Sequence, residues 1–395
     1  MQIRTIHPFP ARMAPELALA PLGTLPTNSL VLDPMAGSGT VLRHALALGH
    51  RAIGFDMDPL AVLMSRVWTA PIDETILDAE LDAVIKEAEN VNLRSHSLHW
   101  HDEETRAFVR FWFDVPQRRA LTRLAYVIDK RRHDSPSGFK LSALNAISIA
   151  LSRLIVTKEQ GASLARDTSH SRPHRVSETS TYDVNMNLMR SVQQLKRRLL
   201  RDRSPRAAQV DLGDARALTL DPRSIDAIIT SPPYLNAIDY MRGHRMSLVW
   251  LGYRLNELRG IRSTTIGAER ASDRALDFAT NSVANAMCDI QALSPRNQRM
   301  VERYAGDLIL MLKEVERVLK PSGQVTLVVG NSCLKNVFIE NSQGVTKAAE
   351  LAGLALAQAR ERELPSRSRY LPITAHGTLS KRMRTETVMT FTQPL

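Results

Sequence analysis

The residues best suited to chemistry stand at 231–234, where the run Asp226-Ala227-Ile228-Ile229-Thr230 stops abruptly at Ser231-Pro232-Pro233-Tyr234. A buried strand that ends in a rigid polar tip and then an aromatic suits work on a flat, amine-bearing ring. Proline fixes φ and has no N–H, so two in succession stiffen the backbone and leave carbonyls free to accept hydrogen bonds. An exocyclic amine on a nucleobase is a poor nucleophile because its lone pair is delocalised into the ring. Acceptors around its two hydrogens would localise that pair, and a tyrosine face could hold the ring. Pro-Pro after a strand also serves as a plain turn, so the tip needs a partner elsewhere in the chain.

That partner lies about two hundred residues upstream. Ser29 to Asp33 reads as a short buried strand running into Pro34-Met35-Ala36-Gly37-Ser38-Gly39-Thr40. A helical pattern then opens with Val41, Leu42, Ala45 and Leu46 and closes at Gly49. Gly37 and Gly39 tolerate φ > 0 and let backbone approach a ligand closely, and the helix N-terminus behind them favours a carboxylate or phosphate. A second strand, Arg51 to Phe55, ends in Asp56-Met57-Asp58-Pro59. An acid at that position is where doubly wound α/β folds hold a ribose by its hydroxyls. The loop matches neither the dinucleotide fingerprint nor a P-loop, which would end in Lys-Ser/Thr.

Together the two motifs resemble the S-adenosylmethionine-dependent DNA amino-methyltransferases, of the N4-cytosine and N6-adenine type. The resemblance covers two core halves, about 200 residues. It implies Ser231, Pro232, Pro233 and Tyr234 as catalytic residues, with Tyr234 stacked on the target base and Ser231 and the Pro232 carbonyl accepting from its amine. It implies Asp33, Pro34, Ala36, Gly37, Ser38, Gly39 and Thr40 around the methionine part of S-adenosylmethionine, and Asp56 at its ribose. Asp214, in the turn Asp211 to Arg216, would meet the adenine. The segment His7 to Leu17 resembles the one that precedes the glycine loop, with Phe9 packed near the cofactor and Pro15-Glu16-Leu17 opening a helix.

Composition agrees with an acidic polymer as partner. The 395 residues carry 52 Lys+Arg against 41 Asp+Glu, a formal charge of +11, with pI ≈ 9.9, and charge of this kind bears on association rather than fold. Residues 151–210 hold twelve Lys/Arg and five Asp/Glu, so this segment supplies +7 of the +11. The 2 cysteines, Cys288 and Cys333, form no Cys-x-x-Cys pair, which argues against disulfide scaffolding and a cysteine zinc site. Methyl transfer from a sulfonium needs no metal. Without a signal peptide or an 18-residue apolar run, a cytoplasmic, nucleoid-associated protein with no membrane contact is expected.

The elements that must position these residues form a Rossmann-like, doubly wound α/β core with a mainly parallel sheet of the class I methyltransferase type, interrupted by a largely helical insertion. Residues 1–70 make the cofactor half, 71–207 the basic insertion and candidate target-recognition region. Residues 208–395 make the catalytic half, with a variable segment at about 240–300 whose polar stretch from 255 is expected to act as a flap. Helices are expected at 71–91, 141–155, 186–203 and 301–319, the last ended by Lys320-Pro321-Ser322-Gly323, and strands at 324–330 and 385–392. Phe108, Phe111, Trp112 and Phe113 read as a small local core. The polar loop 163–175 offers Arg166, His170, Arg172, His174 and Arg175 to phosphates and base edges, and Arg242 and His244 follow the catalytic tip. Pro173 argues against a helical His170–His174 metal pair.

The resulting expectation is site-specific methylation of the N4 amine of cytosine in flipped-out DNA, since the resemblance implies that lean where serine holds the first motif position. The alternatives are N6-adenine methylation, an RNA amino-methyltransferase, and a catalytically silent DNA-binding protein. Neither cysteine stands in the Pro-Cys motif of carbon-5 cytosine enzymes. A cognate restriction endonuclease, the recognised DNA site and the oligomeric state stay open.

Overall fold

A computed structural model describes residues 6–8, 13–134, 136–166, 173–201, 206–235, 239–268, 277–363 and 385–394. They form two compact units, one comprising Met1–Arg12, Asp58–Ala207 and Asp239–Ile261, the other Met13–Met57, Ala208–Ile238 and Arg262–Leu395. The division thus falls at Asp58 rather than at 71, and residues 239–261 go with the insertion.

The second unit holds a seven-stranded sheet of β1 (Leu30–Asp33), β2 (Arg51–Asp56), β5 (Gln209–Leu212), β6 (Ile225–Thr230), β7 (Leu319–Gly330), β10 (Ala355–Glu363) and β11 (Thr385–Thr392). Two-stranded ribbons, β3 (Ala165–Arg166) with β4 (His174–Arg175) and β8 (Ser332–Leu334) with β9 (Val337–Ile339), complete the strands among the described residues. The sheet order is β10-β11-β7-β6-β1-β2-β5. Strands β5, β2, β1, β6 and β7 pair in parallel, and β11 is antiparallel to both its neighbours. This is the mainly parallel, doubly wound sheet expected, with an antiparallel pair at one edge. The chain winds outward from β1 through β2 to β5, then returns to β6 on the other side of β1. The switch point therefore lies between β1 and β6, and ligands of open α/β sheets bind beyond the strand ends there. Ile225 and the run from Ala227 to Thr230 are buried, as a strand covered on both faces requires.

Helices α1 (Pro15–Leu22), α2 (Thr40–Ala47), α11 (Phe278–Met287), α12 (Pro295–Val318) and α13 (Asn341–Leu351) belong to this unit. Helix α12 buries Met300, Val301, Tyr304, Leu308, Met311, Leu312 and Val315, a three-to-four spacing that lays one apolar stripe on the core. It begins at Pro295, six residues before the expected start, because Pro at the first helical position suits the missing N–H there. Lys320-Pro321-Ser322-Gly323 does not form a separate turn. It is carried within β7, whose register jumps from Leu319 opposite Ile225 to Gln324 opposite Ala227, so the extra residues bulge outward. The expected flap is also corrected in part: residues 278–287 form α11, which buries Val283, Ala284 and Met287.

The first unit contains α3 (Pro59–Thr69), α4 (Glu74–Glu89), α5 (Glu103–Trp112), α6 (Val115–His133), α7 (Gly138–Ser152), α8 (Val184–Arg201) and α9 (Met241–Leu248), and α10 (Leu255–Thr264) leads the chain out of it. Aspartates start several of these helices: Asp58, Asp73 and Asp102 accept from the backbone N–H of Leu60, Ile76 and Thr105. Such caps satisfy donors that the first turn cannot. Its core is separate and includes Phe113 against Trp250, ring centroids 5.1 Å apart. Phe113 is buried as expected of a local core, whereas Phe111 is 51% exposed. Among the described residues no helix is long and apolar enough to cross a membrane.

Candidate active site at the sheet switch point

The glycine loop and the Ser-Pro-Pro-Tyr tip leave adjacent parallel strands, β1 and β6, in the second unit. Thr230 Oγ1, the last side chain of β6, donates to Asp33 Oδ1 at 2.7 Å across 197 residues of sequence. Met35 N donates to the same oxygen at 3.3 Å, and no described residue donates to Oδ2. Asp33 is 4% exposed. Burial pushes its carboxyl up to about 7, against the two hydrogen bonds that stabilise the anion, and the nearby Asp56 adds to the rise.

The loop is built as its glycines suggest. Gly37 has φ 52° and Gly39 φ 86°, values a β-carbon disfavours, and Gly39 leads directly into α2. Ala36 N donates to Phe55 O at 2.8 Å, tying the loop to β2. Gly37 N donates to Asp56 Oδ2 at 2.8 Å. The Ser38 hydroxyl is buried and has no hydrogen-bond partner among the described residues, a cost that a bound polar group would relieve. Thr40 is buried in the first turn of α2. The acidic turn is anchored to the same strand end, Gly213 N donating to Asp56 O at 3.1 Å. Asp214 meets Arg216 through Nε at 2.9 Å and Nη2 at 2.7 Å. Burial would raise the Asp214 carboxyl, but these bonds hold it below the usual range.

At the tip, Ser231 Oγ donates to Val328 O of β7 at 2.8 Å. Tyr304 of α12 donates its hydroxyl to Pro233 O at 2.8 Å, while no described residue donates to the Pro232 carbonyl. The Tyr234 ring lies over Gly330: a β-carbon at 330 would come within 2.8 Å of Tyr234 Cε2. Sequence reasoning did not single out Thr230, Arg216, Tyr304 or Gly330. Thr230 and Arg216 border motif residues and were within reach. Tyr304 sits in an apolar helical stripe and reads as ordinary core.

The second unit thus gathers Ser231, Pro232, Pro233, Tyr234, Asp33, Pro34, Ala36, Gly37, Ser38, Gly39, Thr40, Asp56 and Asp214 at the carboxyl ends of its strands. Phe9, His170 and Arg172 lie outside the described residues. The other residues expected to meet DNA are in the first unit. Arg166 and His174 face each other in register on the β3–β4 ribbon, where Arg166 donates to Ala165 O at 2.8 Å. The Arg175 guanidinium lies 5.1 Å from the Phe111 ring centroid. Arg242 is 3.7 Å from Asp239. His244 is 5% exposed, with Nδ1 in hydrogen-bond contact with the Asp58 carboxylate, so its ring is committed to an internal partner rather than an open surface. No cluster of three or more His, Cys, Asp or Glu suited to a metal occurs among the described residues.

No family model matches the chain. Over 356 residues, 84% of this chain and 78% of the relative, it is 21% identical to the type II methyltransferase M.MvaI of Kocuria varians. Over 380 residues, 83% of this chain and 74% of the relative, it is 20% identical to the type II methyltransferase M.BsoBI of Geobacillus stearothermophilus. A TehB-like SAM-dependent methyltransferase from Corynebacterium glutamicum superposes with a TM-score of 0.32 at 9% identity, over 97% of this chain and 89% of that one. For a putative DNA modification methylase from Thermus thermophilus the TM-score is 0.24 at 13% identity, over 46% and 51%. Over most of its length the chain is similar to type II methyltransferases.

Proposed function

We propose that the protein is a site-specific DNA methyltransferase that moves a methyl group from S-adenosylmethionine to the exocyclic N4 amine of cytosine. The carrying observation is the Thr230–Asp33 hydrogen bond at the switch point, which holds the glycine loop and the catalytic tip side by side. The residues present fit the cofactor: Asp33 keeps one carboxylate oxygen for an ammonium, and the partnerless Ser38 hydroxyl lines the loop. Asp56 would meet the ribose hydroxyls and Asp214 the adenine amine. When bound, S-adenosylmethionine supplies a sulfonium methyl group that a neutral amine can attack.

The chain's own part is positioning and electrostatics. A base inside a duplex must be flipped out, at a cost of a few kcal/mol, and Tyr234 offers a ring face on which it would stack. The Ser231 proton is engaged by Val328 O, so the lone pairs of Oγ are available to one amine hydrogen and the Pro232 carbonyl to the other. A serine hydroxyl accepts well only under that condition, which supports the lean toward cytosine. A covalent thiolate adduct is not required, and burial pushes the Cys288 thiol up to about 11. The basic insertion and the segment at about 240–300 are assigned to DNA reading, and a cognate restriction endonuclease is the natural partner of such activity.

The test is incubation of the purified protein with labelled S-adenosylmethionine and duplex DNA, followed by digestion to nucleosides and mass spectrometry. N4-methylcytosine is the expected product. N6-methyladenine would keep the mechanism and overturn the base assignment, and label found in RNA alone would sink the DNA reading.

A further inference from the structure

One turn of α12 carries three polar residues where the helix faces the core. Tyr304 is 1% exposed, yet its hydroxyl donates to Pro233 O of the catalytic tip at 2.8 Å. Asp307 accepts from Arg216 Nη1 at 2.6 Å. The same guanidinium grips Asp214 of the acidic turn and donates through Nη2 to Thr264 O at 2.6 Å. Arg303 Nη2 donates to Ser263 O at 2.9 Å. A single helical turn therefore holds the tip that would receive the base, the turn that would receive the adenine, and the end of α10.

Burying a hydroxyl costs free energy unless it is hydrogen-bonded, and phenylalanine at 304 would fill the same space without that requirement. The hydroxyl's partner is the backbone of the tip itself. Occupying the Pro233 carbonyl fixes the peptide plane before Tyr234, whose ring approaches Gly330 so closely that a β-carbon there would clash. It also leaves the Pro232 carbonyl as the acceptor turned over to the amine. We infer that Tyr304 is a positioning residue for methyl transfer, and that the Asp307–Arg216 ion pair ties its helix turn to the cofactor-side turn at Asp214. The inference rests on the methyl-transfer reading above.

It is tested in the full chain with Tyr304→Phe, measuring kcat, KM for duplex DNA, and the dissociation constant and stoichiometry of S-adenosylmethionine by calorimetry. The expected result is a kcat lowered about tenfold or more, with S-adenosylmethionine bound at full stoichiometry and its dissociation constant within about twofold of wild type. A merely structural role would lower the bound fraction instead. A kcat within about threefold of an active wild type overturns the inference. Should Tyr304→Phe not fold, p-aminophenylalanine at 304 keeps a para donor and is predicted to hold kcat within about threefold of wild type. A folded p-aminophenylalanine protein slowed about tenfold would overturn it. Asp307→Asn, which removes the ion pair, is expected to weaken S-adenosylmethionine binding at least about threefold, and unchanged binding removes the proposed tie to Asp214. A wild-type protein that transfers no methyl group would fail the methyl-transfer reading, and this inference with it.

Discussion

The candidate site in the second unit and the arginines expected to meet DNA in the first hold their polar groups differently. In the second, the bonds around the candidate site join distant parts of the chain: Thr230 to Asp33 across 197 residues, Ser231 to Val328 across 97 and Tyr304 to Pro233 across 71. In the first, two of the arginines expected to meet DNA make near-neighbour contacts, Arg166 with Ala165 and Arg242 with Asp239, while Arg175 rests on the Phe111 ring. Groups that must act on a reacting atom need fixed geometry, which long-range bonds between strand ends provide. Groups that meet a flexible, repeating polyanion need reach and charge, and local contacts leave them that freedom. The contrast predicts that substitutions in the second unit change kcat, whereas substitutions in the first change DNA affinity.

The largest expected effect is at Tyr234. Removing its ring with Tyr234→Ala should lower kcat by about 10²- to 10³-fold, on the order of 3–4 kcal/mol of transition-state stabilisation, with S-adenosylmethionine binding retained. Single-turnover kinetics at saturating cofactor and DNA measures it, and a variant as fast as wild type would break the contrast at its strongest point.

Asp33→Asn should weaken S-adenosylmethionine binding by about tenfold, the loss of one charge-assisted contact. The same substitution should also change folding stability in a pH-dependent way. The Asp33 carboxyl lies at about 7 in the fold against an ordinary 3.8, so the unfolded chain gives up its proton first as pH rises. Below the ordinary value the group costs the fold nothing. Through the window up to about 7 it becomes progressively destabilising, and above that the penalty is complete. Asp33→Asn should accordingly be more stabilising, relative to wild type, in urea denaturation at about pH 8 than at about pH 4. Equal differences at the two pH values would contradict an elevated carboxyl.

Arg175→Ala carries the smallest effect. It should weaken DNA binding by several-fold and reduce the slope of log affinity against log salt by about one, leaving kcat at saturating DNA near wild type. A kcat loss without an affinity loss would show that the first unit shares in the chemistry and would erase the contrast.

Much of the candidate site's backbone is legible in the sequence because its motifs are local. Glycines at 37 and 39, prolines at 232 and 233 and the short apolar strands before them announce their own backbone, and the structure sets them on neighbouring strands. What was not legible depends on packing between distant residues. Helix α6 buries Leu121, Leu124, Ala125 and Ile128 beneath a sequence dense in arginine, so its apolar stripe is hard to see. Strand β10 is almost wholly exposed along Ala355 to Glu363 and lacks the alternation that marks a half-buried strand. Residues 239–261 join the first unit through bonds such as Trp100 Nε1 to Val249 O at 2.8 Å, which no local pattern reveals. Tyr304 looks like core because it is core, and only its hydroxyl's partner distinguishes it.

On the proposed function, the tip beside the glycine loop holds the reacting amine, with Ser231 as one of its acceptors. Ser231→Ala tests it most directly, in single-turnover transfer from labelled S-adenosylmethionine to duplex DNA at saturating concentrations. The expected result is a rate lowered by about 10²-fold with an unchanged cofactor dissociation constant. A rate equal to wild type would contradict it.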